Sequence, residues 1–310
     1  MHSTISRRRL LKLGAAAGLA LSPAGMFALE PFKRPGPSRL QLSLAAYSFR
    51  EYFKDTNHER KVQTDAAKHI DLFQFIDYCV EHNCPAAELT SYYFPKETDT
   101  AFLLKLRRHC FLSGVEVSGG AVGNAFTNPP GEKRDEQMRY VKEWVDHYAV
   151  LGAPHIRVFA GSAPRGVAKE EARKICIAAL EECAEYAGRK GIFLGIENHG
   201  GIVAEPDDLL EIIRTVKSPW VGINLDSANF HTDDPYRDFE RCAPYAVNVQ
   251  MKADIQPRGG KSQQADLPRL VKILRAANYQ GYVALEYESA EDPWKAVPGL
   301  LKQMAELFAR

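Results

Sequence analysis

A chain of 310 residues, 45% hydrophobic and 25% charged, is long and apolar enough to bury a barrel-sized core, which excludes an intrinsically disordered protein. Its 40 basic and 39 acidic residues leave a net charge of +1, so it lacks the basic field that draws nucleic acid or anionic membrane surfaces. Six cysteines, Cys79, Cys84, Cys110, Cys176, Cys183 and Cys242, form no CxxC pair and fall mostly on apolar faces of predicted helices; they read as buried structural thiols.

The first 28 residues read as a targeting segment. SRRRLLK (Ser6 to Lys12) runs into the apolar stretch LGAAAGLAL and then Ser22-Pro23-Ala24, which resembles a twin-arginine export signal with a small-residue cleavage site. The apolar stretch is too short to span a bilayer comfortably, so no stable membrane anchor is expected. The resemblance implies a periplasmic or otherwise exported protein that folds, and takes up any metal, before export. Residues 29–39, rich in Pro and charge, read as a tether, and 40–310 as a single domain.

Along that domain one unit recurs. Strands are predicted over 40–49, 86–90, 115–120, 155–161, 192–197, 221–226, 246–252 and 282–288. Helices follow at about 69–82, 98–113, 132–151, 169–190, 206–217, 235–243, 266–277 and 294–309, several opened by Asp, Pro or Glu and closed near Gly or Asn. Eight strands alternating with eight helices is the count of an α/β (β/α)₈ barrel. A doubly wound open sheet is the competing architecture, but no GxGxxG turn follows the first strand. Long connections at 50–68, 119–131 and 253–265 all follow strands, which places them on the face where barrel active sites lie.

On that face four apolar runs end in polar side chains: IFLGIE at Glu197, VGINLD at Asp226, AVNVQ at Gln250 and YVALE at Glu286. Three carboxylates and an amide at strand ends are costly to desolvate unless a cation sits among them, and a divalent metal is the economical expectation.

GIENHGG, NLDSANF, VQMKAD and GYVALEYE, in that order at strands five to eight, resemble the sugar phosphate isomerase/epimerase group of xylose isomerase-like TIM barrels. That group includes tagatose 3-epimerase relatives and endonuclease IV; ELTSYYF and HIRVFAG fit its second and fourth strands. The resemblance implies one divalent cation held by Glu197, Asp226, Gln250 and Glu286. Relatives usually carry His where Gln250 stands, and an all-oxygen ligand set favours Mn or Mg over Zn. It also implies a metal-dependent sugar isomerase or epimerase in which Glu197 and Glu286 move a proton on opposite faces of the substrate through an enediolate. Two alternatives share the scaffold: a 3-keto-glycoside lyase or hydrolase using the same metal and base, and a non-catalytic periplasmic sugar-binding protein. Endonuclease activity is disfavoured, because only His199 and His231 stand near the late strand ends. The partner expected is therefore a small-molecule sugar or glycoside and not nucleic acid, with homo-oligomerisation left open.

Further residues are placed near the mouth by the strand pattern. Asn198 and His199 follow Glu197, and Asn229 and His231 follow Asp226, which makes all four candidates for binding the substrate. Lys252 and Glu288 share the inward faces of Gln250 and Glu286 by strand alternation, so Lys252 is expected to bind a substrate hydroxyl, offset the carboxylates, or pair with Glu286 or Asp226, and Glu288 to bind substrate, support Glu286 or replace it as ligand. Glu88 and Arg157, on earlier strands, are candidates for touching the sugar or for a barrel-interior ion pair.

Overall fold

The computed structural model describes residues 29–56 and 65–309. The expected export signal, residues 1–28, and residues 57–64 of the first long loop lie outside the described residues.

Eight parallel strands close into a barrel, each paired with its sequence neighbours and the last with the first. They are β1 (Arg39–Ala45), β2 (Ala86–Thr90), β3 (Glu116–Ala121), β4 (His155–Val158), β5 (Phe193–Glu197), β6 (Val221–Asp226), β7 (Ala246–Met251) and β8 (Gln280–Leu285). The helices between and after them are α1 (Leu72–Glu81), α2 (Thr100–Ser113), α3 (Glu132–Leu151), α4 (Lys169–Gly188), α5 (Pro206–Thr215), α6 (Pro235–Cys242), α7 (Leu267–Ala276) and α8 (Pro293–Phe308). The expected α/β (β/α)₈ TIM barrel is the fold observed.

Local chemistry sets the element ends. Asp71 opens α1 with a capping box: its carboxylate accepts from Gln74 N while the Gln74 side chain accepts from Asp71 N. Asp99, Asp234 and Asp266 cap α2, α6 and α7 with the carboxylate alone, and Pro occupies the first turn of α5 to α8. Strand β3 runs close to its neighbours because Gly119 and Gly120 carry no Cβ. A methyl at Gly120 would fall 2.0 Å from the Tyr148 ring, and one at Gly119 1.8 Å from the His155 ring.

The stretch expected as a tether, residues 29–39, is instead packed across the barrel floor. Phe32 N donates to Pro244 O at 3.0 Å, and the Phe32 ring meets Phe193 edge-on. The Arg34 guanidinium donates to Ala246 O and lies over the Tyr279 ring, and Asn278 Nδ2 donates to Arg34 O at 2.9 Å. Apolar and cationic side chains among its prolines give this stretch something to bury, which composition alone conceals. At the opposite end, the 253–265 connection folds into a small antiparallel hairpin, Asp254–Ile255 with Gln263–Gln264, tied to the α5 side by an Arg258–Glu205 ion pair. All six cysteines are buried and unpaired. Among the described residues no helix is long and apolar enough to cross a membrane.

Candidate active site

Register brings the four predicted strand-end residues to one rim. Glu197 ends β5, Asp226 ends β6 beside Gln250 of β7, and Glu286 follows β8, its N–H donating to Met251 O at 3.0 Å. Asn198 locks β5 to β6: its Nδ2 donates to Asp226 O at 3.0 Å and its Oδ1 accepts from Asp226 N at 2.8 Å. Asp226 Oδ1 accepts from Ala228 N at 2.8 Å and Asn229 N at 3.0 Å, closing the turn after β6 and leaving Oδ2 without a hydrogen-bond donor. Asn229 then turns back, its Nδ2 donating to Glu197 Oε1 at 2.8 Å.

Two protein cations stand among these carboxylates. Lys252, two residues beyond Gln250 on the same face of the chain, places Nζ 2.7 Å from Glu286 Oε2 and 3.3 Å from Asp226 Oδ2, and also pairs with Glu288. Arg157 of β4 sets Nε 2.9 Å from Glu197 Oε2; its Nη1 donates to Val122 O at 2.8 Å, and the guanidinium lies 3.9 Å from the centre of the Phe159 ring. Burial disfavours the Lys252 ammonium, but Asp226 and Glu286 beside it hold its pKa well above the ordinary value. Burial likewise works against Arg157, and Glu197 reverses it. Glu197 is pushed up to about 7 by desolvation, with Arg157 opposing and Glu286 adding repulsion. Asp226 is also raised to about 7 by desolvation, with Lys252 opposing and Glu197 adding to it.

A polar layer lies inside the barrel beneath the rim. Gln250 Oε1 accepts from Asn224 Nδ2 at 2.7 Å, while its Nε2 donates to Glu88 Oε1 at 2.6 Å and faces Glu286 Oε1 at 3.5 Å. Asn248 Nδ2 donates to Glu88 Oε2 and to Asn224 Oδ1, both at 2.8 Å. Glu88, considered at the sequence level for touching the sugar, is therefore fully enclosed in the barrel interior. Desolvation first, then repulsion from Glu286, raises its pKa to about 8. His155 lies 3.8 Å from it, lowered to about 4 by burial, with Nδ1 donating to Ser118 O at 2.9 Å. A raised acid beside a lowered imidazole is a neutral pair at neutral pH.

The rim opens into a cavity of about 450 Å³ lined by Asn229, His231, Lys252, Gln256 and Glu288. A second cavity, about 370 Å³ and lined by Arg50, Glu51, Lys68 and Asp292, shares with it the wall formed by Ser289 and Ala290. His231 reaches this mouth, Nδ1 donating to Gln256 O at 3.2 Å. His199 stacks at a tilt on Phe159, its pKa lowered by partial burial and then by Arg157. Asn198 is wholly buried, and both its side-chain polar atoms are engaged by the Asp226 backbone, so the expected contact with substrate gives way to a positioning role. Sequence reasoning missed Asn224, Asn248 and His155. Strand alternation would have flagged the first two, two residues before Asp226 and Gln250 on the same inward face.

The model of the xylose isomerase-like TIM-barrel family matches residues 76–304. The chain belongs to that family. No curated protein sequence matches it significantly. Among solved structures, a 3-keto-D-glucoside 4-epimerase from E. coli shares 18% identity over 87% of this chain and 99% of that one, with a TM-score of 0.63. A D-psicose 3-epimerase from Clostridium cellulolyticum H10 shares 12% over 84% and 89%, with a TM-score of 0.64. An IOLI protein with a bound zinc atom shares 17% over 86% and 96%, with a TM-score of 0.67. At these identities the likeness is one of fold.

The family resemblance implies a divalent ion held by Glu197, Asp226, Gln250 and Glu286. The side chains as arranged do not form that four-oxygen cage. Gln250 gives its carbonyl oxygen to Asn224 and turns its amide N–H toward Glu286, a donor where a ligand was expected. The position bounded by Asp226 and Glu286 is taken by the Lys252 ammonium, and Glu197 is held by Arg157. Among the described residues no three His, Cys, Asp or Glu side chains are grouped to share an ion. A barrel of this family can thus place a lysine where oxygen-bound cations are expected.

Proposed function

We propose that this xylose isomerase-like barrel isomerises or epimerises a sugar or glycoside by moving a proton at a carbon beside a carbonyl. The observation that supports this best is the pair of buried carboxylates on the rim, Glu197 and Glu286, each resting on its own cation, Arg157 and Lys252. Glu197, pushed up to about 7, sits in the range where a carboxyl both takes and returns a proton near neutrality. In this reading one carboxylate removes the carbon-bound proton, the electron pair moves onto the carbonyl oxygen, and the other carboxyl delivers a proton to the opposite face. Two structural relatives are named for inversion next to a ketone, the 3-keto-D-glucoside 4-epimerase and the D-psicose 3-epimerase. The adjoining cavities give room for a substrate larger than one sugar ring. The SRRRLLK leader supports placing the reaction in the periplasm.

Incubation in D₂O with a panel of ketoses and 3-keto-glycosides tests this reading. Deuterium enters the carbon beside the carbonyl, and either the epimer or the eliminated leaving group identifies the product by NMR. Glu197→Gln and Glu286→Gln each lower turnover by roughly 10²–10⁴-fold. A folded protein that washes no deuterium into any member of the panel overturns it.

A further inference from the structure

We propose that Lys252 is this barrel's resident cation: its ammonium holds the seat between Asp226, Glu286 and Glu288, so the site works without a divalent metal. The inference rests on the proton-transfer reading only for the role given to Lys252 in turnover; the claim about the seat stands on geometry.

Three observations carry it. First, Lys252 Nζ is 2.7 Å from Glu286 Oε2 and 3.3 Å from Asp226 Oδ2 and pairs with Glu288, while its side chain is only 8% exposed. A metal ligated at about 2.0–2.6 Å by the same oxygens would share that volume with a like charge, so one of the two cations must leave. Second, Gln250 is turned the wrong way for a ligand. To offer its oxygen to the rim it must break the bonds from Asn224 and to Glu88, leaving the buried Glu88 without one of its two donors. Third, Glu197 is claimed by Arg157, whose own position is fixed by Val122 O and the Phe159 ring.

Lys252 also lines the 450 Å³ cavity, so a ligand there meets the same side chain that pairs with the carboxylates. A carbonyl oxygen seated against Nζ gains negative charge as the neighbouring C–H bond breaks. The C–H electron pair forms the C=C bond, the carbonyl π pair moves onto oxygen, and the proton passes to a rim carboxylate. Lys252 donates a hydrogen bond to the new oxyanion and keeps its own protons, which is electrostatic stabilisation by a preset donor. The proton returned by the opposite carboxyl restores the carbonyl, so no oxidant or second substrate is needed.

Chelator-treated full-length protein is titrated with MnCl₂, MgCl₂ and ZnCl₂ by calorimetry and by thermal shift, beside Lys252→Met and Lys252→Arg. The wild type gives no saturable one-to-one binding and no rise in Tm. Lys252→Met, which leaves three carboxylates without their counter-charge, gains Mn-dependent stabilisation, and Lys252→Arg behaves as wild type. A wild type that binds one Mn, Mg or Zn ion per chain with a matching rise in Tm overturns the proposal, whether or not the methionine variant folds. With a substrate from the D₂O panel, the chelated wild type keeps its full rate, and Lys252→Met falls by roughly 10²–10³-fold. Loss of the wild-type rate on chelation, regained on adding metal, also overturns it. If no substrate turns over, the proton-transfer reading fails while the metal titrations still decide who holds the seat.

Discussion

Glu88 and His155 show how one residue type changes meaning with its surroundings. Placed inside the barrel, Glu88 has its folded pKa raised to about 8, as Glu197 and Asp226 have theirs raised to about 7, so each holds its proton more tightly folded than unfolded. Stability from such groups is fully present below the unfolded carboxyl pKa of about 4 and is lost as pH rises through 7 to 8. His155, lowered to about 4, runs the other way: its contribution is present above about 6.5 and is lost as pH falls through 4. The Tm measured in a buffer series therefore peaks on the acid side of neutrality and declines toward about pH 8.5. Glu88→Gln flattens that alkaline decline, and an unchanged slope would show that Glu88 is not its source. The inward positions of Glu197, Asp226, Gln250 and Glu286 were legible in the sequence because strand ends and period-two alternation fix backbone direction. What Lys252 does was not. Its long side chain reaches several partners from one Cα, and only the three-dimensional placement of Asp226 and Glu286 selects among the substrate, offsetting and ion-pair roles.

At the level of elements, sequence signals located the strands and helices closely and erred at their ends for identifiable reasons. The first helix starts at Leu72 rather than near 69, because the Asp71–Gln74 capping box sets the entry. The last strand was expected over 282–288. It begins at Gln280 and ends at Leu285, although the alternating run YVALEYE continues, so Glu286 at the rim keeps one backbone bond to Met251 O and Glu288 lies on the loop beyond. Strand β3 carries a constraint that hydropathy cannot express: two glycines let it pass His155 on one side and Tyr148 on the other. Gly120→Ala forces the Tyr148 ring out of its place. The expected cost is roughly 1–3 kcal/mol, a drop in Tm of about 2–12 °C by calorimetry. A variant melting with the wild type would mean that the ring yields freely.

Across the whole molecule the two ends of the barrel are divided by task. Chemistry-bearing side chains gather at the C-terminal rim under the Asp254–Gln264 hairpin, and the opposite end is sealed by residues 29–38. That seal was illegible beforehand, since Pro and charge outweigh its single buried-facing aromatic in any composition window. Arg34→Ala removes the donor to Ala246 O and the cation over Tyr279, so denaturant unfolding at neutral pH should show a loss of about 1–3 kcal/mol. Turnover should be unaffected, because the contact is on the floor; a loss of activity equal to the loss at the rim variants would contradict the division.

The floor seal has a practical corollary for anyone handling this protein. Phe32 and Arg34 hold the start of the described chain against the face opposite the mouth. A purification tag, a fluorescent fusion or a surface-immobilisation handle joined directly ahead of this stretch, in place of residues 1–28, therefore starts on the side away from the opening. The same addition within the Asp254–Gln264 hairpin would sit over the opening.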